Sequence, residues 1–239
     1  MKMIHIIVPL LALAAIVLLL LSGPGVHLGW WEFTVGFVLL KWAAYAGIAA
    51  AALGLIALIV PAARHGSEAW LVVSIMVGIA VAWLPGHWMQ RARSVPMIHD
   101  ISTDTMHPPD FVAVLPLRRD APNPAVYGGP EVAAQQHAAY PDIQPLHLDL
   151  PAAQAFPRAL EAARAMGWEI VAEVPDQGRI EATATTFWFG FKDDIVVRVR
   201  AEGSGSMVDV RSKSRVGKSD VGTNAARIRG YLHKLAGGD

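Results

Sequence analysis

The fold of the C-terminal part is decided by residues 194–215, which read DIVVRVRAEGSGSMVDVRSKSR. Apolar and polar residues alternate over 194–200 and again over 207–215, and this period of two is typical of a half-buried β-strand. The intervening residues 202–206, EGSGS, have the composition of a turn. The segment therefore predicts a hairpin of two antiparallel strands with one apolar and one polar face.

Regular patterns continue on both sides of this hairpin. Further strands are predicted over residues 146–150, 168–174 and 179–189. One helix is predicted to begin near Phe156 and to close at Gly167, and a last helix to begin at Ser219 or Asp220. The prediction for residues 144–239 is an α+β domain, a two-layer sandwich with two helices on one face of an antiparallel sheet.

The polar face of the predicted sheet gathers five basic side chains. They are Arg198, Arg200, Arg211, Lys213 and Arg215. Such a cluster suits an anion or a lipid headgroup. Two alternatives remain open: a solvated face with cross-strand pairs to Glu181 and Asp209, favoured over binding, and a face covered by an acidic segment.

An acidic, proline-rich segment precedes the domain. Nine of the 16 prolines lie within residues 91–145, so extended chain and turns are expected there. Residues 91–191 contain 7 basic and 12 acidic residues, and residues 192–239 contain 10 and 6. We expect this arm, residues 91–143, to pack on the domain that follows.

Four aromatic residues lie at the end of a predicted hairpin, beside Lys192. They are Phe187, Trp188, Phe189 and Phe191. If exposed, they suit contact with a bilayer surface or a protein partner. If the arm covers them they belong to the core, and this second interpretation is the preferred one.

One cluster in the arm has metal-ligand residue types. Imidazole and carboxylate from His99, Asp100 and Asp104 could hold zinc or manganese. The more ordinary interpretation is that the aspartates cap turns through bonds to backbone amides.

The first 90 residues read as a membrane anchor. The chain is 54% hydrophobic and only 17% charged, and the excess lies in apolar runs at about 3–21, 42–60 and 69–89. About 20 apolar residues span a hydrocarbon core, so three transmembrane helices are predicted. Lys41 is expected at the leading edge of the second helix.

Charge and cysteine content exclude several classes of function. The 20 basic and 20 acidic residues cancel, which argues against nucleic-acid binding by bulk charge. The absence of cysteine excludes disulfides and thiolate chemistry. No cofactor is expected.

The charges that flank the helices hardly decide the orientation of the anchor. Lys2 and Arg64 would lie on one side of the membrane, and Lys41, Arg91 and Arg93 on the other. A short N-terminus on the inner side weakly favours a periplasmic C-terminal domain.

Several segments of the soluble part resemble one known family. They include residues 98–104, 108–111, 127–129, 139–143 and 167–170, with the most specific at 185–194, TTFWFGFKDD, and 212–220, SKSRVGKSD. The chain thus resembles the domain-of-unknown-function 1499 family, found in bacteria behind membrane segments. The resemblance implies a domain boundary, and the family brings no established activity.

These observations together predict an inner-membrane protein with a non-catalytic C-terminal domain that binds a protein partner or anionic lipid. The alternative is a membrane-tethered hydrolase or metal-dependent enzyme that uses His99, Asp100 and Asp104.

Overall fold

The structure is a computed structural model that describes residues 3–64 and 66–238. Lys2, which entered the charge comparison above, lies outside the described residues. The chain divides into two compact units, Met1–Arg91 with Phe187–Gly190, and Ala92–Thr186 with Phe191–Asp239.

Three long helices make up most of the first unit. They are α1 (Ile4–Ser22), α2 (Phe33–Ile59) and α3 (Glu68–Ser94), with short helical turns at Pro24–His27 and Pro61–Arg64. By length and composition, three helical segments are suited to cross a membrane: Ile4–His27, Phe33–Ile59 and Glu68–Ser94. Residues 3–64 and 66–238 therefore contain three candidate membrane-spanning helices, as predicted.

The helices extend beyond the apolar runs that predicted them. Because α2 begins at Phe33, Lys41 lies inside the helix and not at its leading edge, with its ammonium 5.9 Å from the centroid of the Trp42 ring. The third helix passes through Pro85 and ends at Ser94. An apolar run shows only the part of a helix that suits the hydrocarbon core of a bilayer, whereas the hydrogen bonds of the helix continue through polar residues on either side.

Small residues bring α2 and α3 together. Gly47 and Gly78 are buried, and a Cβ added at Gly47 would lie 2.7 Å from the carbonyl oxygen of Gly78. Ala50 and Ser74 are also buried. Close backbone approach of this kind requires residues with little or no side chain.

The second unit is built on a six-stranded antiparallel sheet. Its strands are β1 (Asp100–Ser102), β2 (Leu146–Leu148), β3 (Glu169–Val174), β4 (Arg179–Thr185), β5 (Lys192–Glu202) and β6 (Gly205–Ser214). Their order is β1-β6-β5-β4-β3, and β2 also pairs with β6. Asp100 pairs with Lys213 and Leu146 with Val208, so β1 and β2 lie along one edge of β6.

Two helices, α5 (Ala152–Ala165) and α6 (Thr223–Leu235), pack on the apolar face. (The helix α4 of the arm precedes them at Gly129–Ala139.) Ile195, Val197 and Val199 of β5 point into this core, and the Trp168 ring stacks on Tyr231 at 5.0 Å between centroids. The predicted α+β class, with two helices on one face of an antiparallel sheet, is confirmed.

Some predicted boundaries were wrong. The strand β4 ends at Thr185 and not at residue 189, because the Thr186 amide donates to the Phe191 carbonyl (2.8 Å) and closes the hairpin. The last helix begins at Thr223, three residues beyond Asp220. Asp220 still acts at its start, since its carboxylate accepts from the amides of Gly222 (2.8 Å) and Asn224 (2.9 Å).

The arm contains more regular structure than extended chain and turns. Besides β1, it forms a short 3₁₀ helix at Leu115–Arg118 and the helix α4. Pro130 lies in the first turn of α4, where its missing N–H costs no helical hydrogen bond. A high proline count therefore did not exclude a helix.

Candidate functional site: the polar sheet face and its covering arm

The candidate binding residues were predicted to lie on the polar face of the sheet. Across the β5–β6 pair, Arg198 lies opposite Asp209, Val196 opposite Arg211 and Asp194 opposite Lys213. Arg198, Arg211 and Lys213 thus project from the face opposite the Ile195–Val197–Val199 core. The arm lies over this face, because β1 and the loops that follow it supply most of the partners described below.

Asp100 is the central counter-ion. Its carboxylate accepts a two-pronged contact from the Arg211 guanidinium, at 2.9 Å and 3.0 Å, and a third bond from the Lys213 ammonium at 2.9 Å. All three residues are at most 2% exposed. Burial lowers the pKa of Lys213, an effect that the charge of Asp100 opposes. The expectation of a solvated face is therefore wrong for Arg211 and Lys213.

Backbone carbonyls and aromatic rings of the arm complete the enclosure. Arg211 donates to the Ala125 carbonyl (2.8 Å), and Lys213 donates to the Val126 carbonyl (2.6 Å). The Arg211 guanidinium carbon lies 4.7 Å from the centroid of the Phe111 ring and 5.3 Å from that of Tyr127. Burial raises the pKa of Tyr127 to about 12.

A buried glutamate fastens the next part of the arm. The Glu181 carboxylate of β4 accepts from the backbone amides of Val112 (2.9 Å), Ala113 (2.9 Å) and Val114 (3.0 Å), and Arg179 pairs with it. Charge-assisted bonds from three consecutive amides fix the conformation of this loop. Glu181 was predicted as a cross-strand partner of the basic cluster, and its main partners are instead backbone groups of the arm.

Asp194 forms a third buried pairing. It accepts from Arg118 of the arm (2.6 Å), from Arg215 (2.9 Å and 2.7 Å) and from the Thr183 hydroxyl (2.7 Å). Burial raises the pKa of this carboxyl, but the bonds from Arg215, Thr183 and Arg118 outweigh it and hold the pKa below its usual 3.8. Arg215 is thereby used as an internal partner.

The remaining two members of the basic cluster share Asp209. Arg198 bonds it at 2.9 Å and Arg200 at 2.8 Å, and Arg198 also contacts Asp104 at 3.2 Å. The Arg200 side chain remains nearly half exposed. The structure thus brings the five predicted basic residues onto internal carboxylates. The pairs to Asp209 are cross-strand pairs of the kind predicted for the polar face, whereas Asp100 and Asp104 are supplied by the acidic arm.

The predicted metal ligands do not converge. Asp100 is engaged by Arg211 and Lys213, whereas one oxygen of Asp104 accepts from the amides of Met106 (3.1 Å) and His107 (2.8 Å). His99 instead faces the Lys218 carbonyl at 3.4 Å. Among residues 3–64 and 66–238, no group of three or more potential ligands is positioned to hold a metal. The structure therefore does not bring His99, Asp100 and Asp104 together as a metal site.

The predicted aromatic contact set is divided between the two units. Phe187, Trp188 and Phe189 group with the helical unit, and Phe191 belongs to the soluble one. Phe187 is 89% exposed, so the interpretation of this residue as core is wrong. Trp188, Phe189 and Phe191 are half-buried.

Asp100 and Arg118 are the residues whose roles the sequence did not reveal. Asp100 was considered as a metal ligand or, more ordinarily, as a turn cap, and Arg118 was not singled out. The opposite charge surpluses of residues 91–191 and 192–239 were the available signal. Chemically, the face is a network in which Asp100, Asp104, Glu181, Asp194 and Asp209 each accept from a cation or a backbone amide.

A family match covers the part of the chain that contains the sheet and most of the arm. A family model described as "Protein of unknown function (DUF1499)" matches residues 100–235, which begins at β1 and ends with α6. No curated protein matches the chain.

Proposed function

The chain belongs to the DUF1499 family of unknown function, and on that premise we propose that it is a multi-pass inner-membrane protein whose C-terminal domain is a non-catalytic module binding anionic lipid. The three candidate membrane helices support the anchoring part of this proposal. The proposal of a lipid-binding, non-catalytic domain is supported by the short link between α3 and β1 and by the pairing of the buried carboxylates.

The short link from α3 to β1 carries the proposal. Helix α3 ends at Ser94 and β1 begins at Asp100, so five residues join them. An extended chain covers about 3.5 Å per residue, so this link reaches roughly 20 Å. The first strand therefore lies within about 20 Å of the end of α3, so the lipid of a bilayer that α3 spans is presented at a high effective concentration.

The engaged carboxylates support a non-catalytic role. A general base needs a carboxylate or imidazole that is free to take a proton near neutral pH. Asp100, Glu181 and Asp194 are instead buried and held by cations or backbone amides. We propose that they close the arm onto the sheet and so give the domain a rigid outer surface.

Aromatic side chains at the β4–β5 hairpin are proposed to contact lipid. Aromatic rings are enriched where membrane meets water, and Phe187 has its side chain almost fully exposed. Trp188, Phe189 and Phe191 adjoin it in sequence, and we include them in the same proposed contact.

A periplasmic location of the domain is the second part of the proposal. Three candidate spans put the residues before α1 and the domain after α3 on opposite sides of the membrane, and we propose that the residues before α1 lie on the inner side and the domain on the outer side. The chain has no cysteine, so Ser204→Cys introduces a unique thiol in the exposed β5–β6 turn. A membrane-impermeant maleimide is expected to label this variant in intact spheroplasts. Labelling that requires lysis would overturn the assignment.

Lipid binding is tested on the full chain in nanodiscs. Amide hydrogen exchange within residues 95–238 is expected to slow when phosphatidylglycerol is added to phosphatidylcholine, because headgroup contact excludes water from the bound surface. High salt is the control, since it screens exposed charges to within about 3 Å at 1 M. The same exchange with and without phosphatidylglycerol would contradict lipid binding and favour a protein partner.

A further inference from the structure

We propose that one end of the sheet is the lipid-binding surface, where three exposed cations and a pair of exposed leucines lie at the same end. The cations are Arg119, Lys192 and Lys218, and the apolar side chains are Leu115 and Leu117. The inference rests on the proposed function and names the site that performs it. It replaces the buried Arg211 and Lys213 as the candidate headgroup contacts.

Backbone contacts bring the three cations to the same end. Strand β5 begins at Lys192 and β6 ends at Ser214, and the Arg215 amide donates to the Lys192 carbonyl (3.0 Å). The loop that carries Arg119 is held there as well, since the Asn123 side chain donates to the carbonyls of Ser214 (3.1 Å) and Gly217 (2.9 Å). Lys218 follows Gly217 directly.

The leucines lie in a short helix that a buried neighbour holds in place. Arg118 is only 5% exposed, because it bonds Asp194 (2.6 Å) and the carbonyls of Lys213 (3.3 Å) and Asn123 (3.1 Å). In the same 3₁₀ helix, Leu115 is 44% exposed and Leu117 is 53% exposed. The arginine thus fixes the 3₁₀ helix that carries the two exposed leucines.

The charge at this end favours anions. Asp193 and Asp194 are buried and paired with Arg227 and Arg215 respectively. Asp120 is an exposed acid in the same loop. Glu169, which begins β3 and pairs with Thr183 of β4, is a second exposed acid at this end. Three exposed cations against these two carboxylates leave one positive charge in surplus.

The occupant that fits is the surface of an anionic phospholipid bilayer. The chain enters the domain at this same end, since the Ser214 amide donates to the His99 carbonyl (3.0 Å) just before β1 begins. Each cation near an anionic leaflet contributes roughly 1 kcal/mol, about fivefold in binding. Exposed leucines at the same end as such cations suit insertion at the headgroup boundary.

The experiment uses a reporter on one leucine. Leu117→Cys in the full chain, labelled with an environment-sensitive fluorophore, is expected to be quenched by spin-labelled lipid in nanodiscs that contain phosphatidylglycerol. The matched control is Ser204→Cys at the opposite end of the β5–β6 hairpin, where no quenching is expected. Equal quenching at both positions, or none at residue 117, would overturn the assigned surface.

Neutralising the cations tests the charge argument. Quenching at residue 117 gives the ratio of lipid-bound to free domain. Lys192→Gln with Lys218→Gln is expected to lower this ratio by about 25-fold. Arg158→Gln with Lys234→Gln, on α5 and α6, makes the same change in net charge and is expected to leave the ratio unchanged. If phosphatidylglycerol slows hydrogen exchange but residue 117 is not quenched, the site is wrong and lipid binding stands. If neither occurs, lipid binding itself fails.

Discussion

Removing the charge of Asp100 is the sharpest test of the network that holds the arm to the sheet. Asp100→Asn keeps the shape of the side chain and leaves the Arg211 guanidinium and the Lys213 ammonium buried without their shared counter-charge. Breaking a buried ion pair by removing one partner costs about 3–5 kcal/mol. We expect a loss of about 4 kcal/mol, roughly a thousandfold in the unfolding equilibrium, from a total of about 5–15 kcal/mol for a domain.

Pulse proteolysis in urea, on the full chain in detergent micelles, measures this loss. Asp120→Asn makes the same chemical change at an exposed site of the arm and is expected to have no measurable effect. Adding Lys213→Met to Asp100→Asn removes one of the stranded cations and is expected to recover part of the stability. A loss below about 1 kcal/mol in Asp100→Asn would refute the view that buried charge pairing closes the arm.

Two further predictions concern the same network. The pKa of Asp194 lies below 3.8 in the folded state, so its pairing contributes fully well above pH 3.8 and is lost as the pH falls below that value. Scanning calorimetry across this acid range is expected to show a shallower loss of stability in Asp194→Asn, and an unchanged slope would contradict the assignment. The Tyr127 hydroxyl is buried with no hydrogen-bond partner among the described residues, so Tyr127→Phe is expected to match or exceed the wild-type stability. Tyr127→Leu loses the ring over Arg211 and is expected to cost about 1 kcal/mol in the same urea assay; equal stability of the two variants would count against that contact.

Local patterns were sufficient to assign the faces of the sheet. Alternation placed Val197 in the core and Arg198 on the opposite face, because strand geometry relates neighbouring residues directly. Alternation does not reveal what covers a polar face. Asp100 lies 113 residues before Lys213, and no periodicity in the sequence connects the two.

The role of Glu181 was hidden for a different reason. Its carboxylate binds three successive backbone amides, and every residue type except proline offers such a donor. The contact therefore depends on the conformation of the loop, and no pattern of residue types in the sequence predicts it. The helix α4 was missed because prolines flank it, although residues 133–139, AAQQHAA, include good helix formers.

The pairing of β1 with β6 also constrains how the domain is made. The first strand of the domain is synthesised early, and its partner appears only when the last strand has been added, so the fold has high contact order. At about 5–20 residues per second, 113 residues take roughly 6–23 s to synthesise. During this interval the arm has no sheet edge to join, so the first strand and the loops that follow it stay without their partners until β6 has been made.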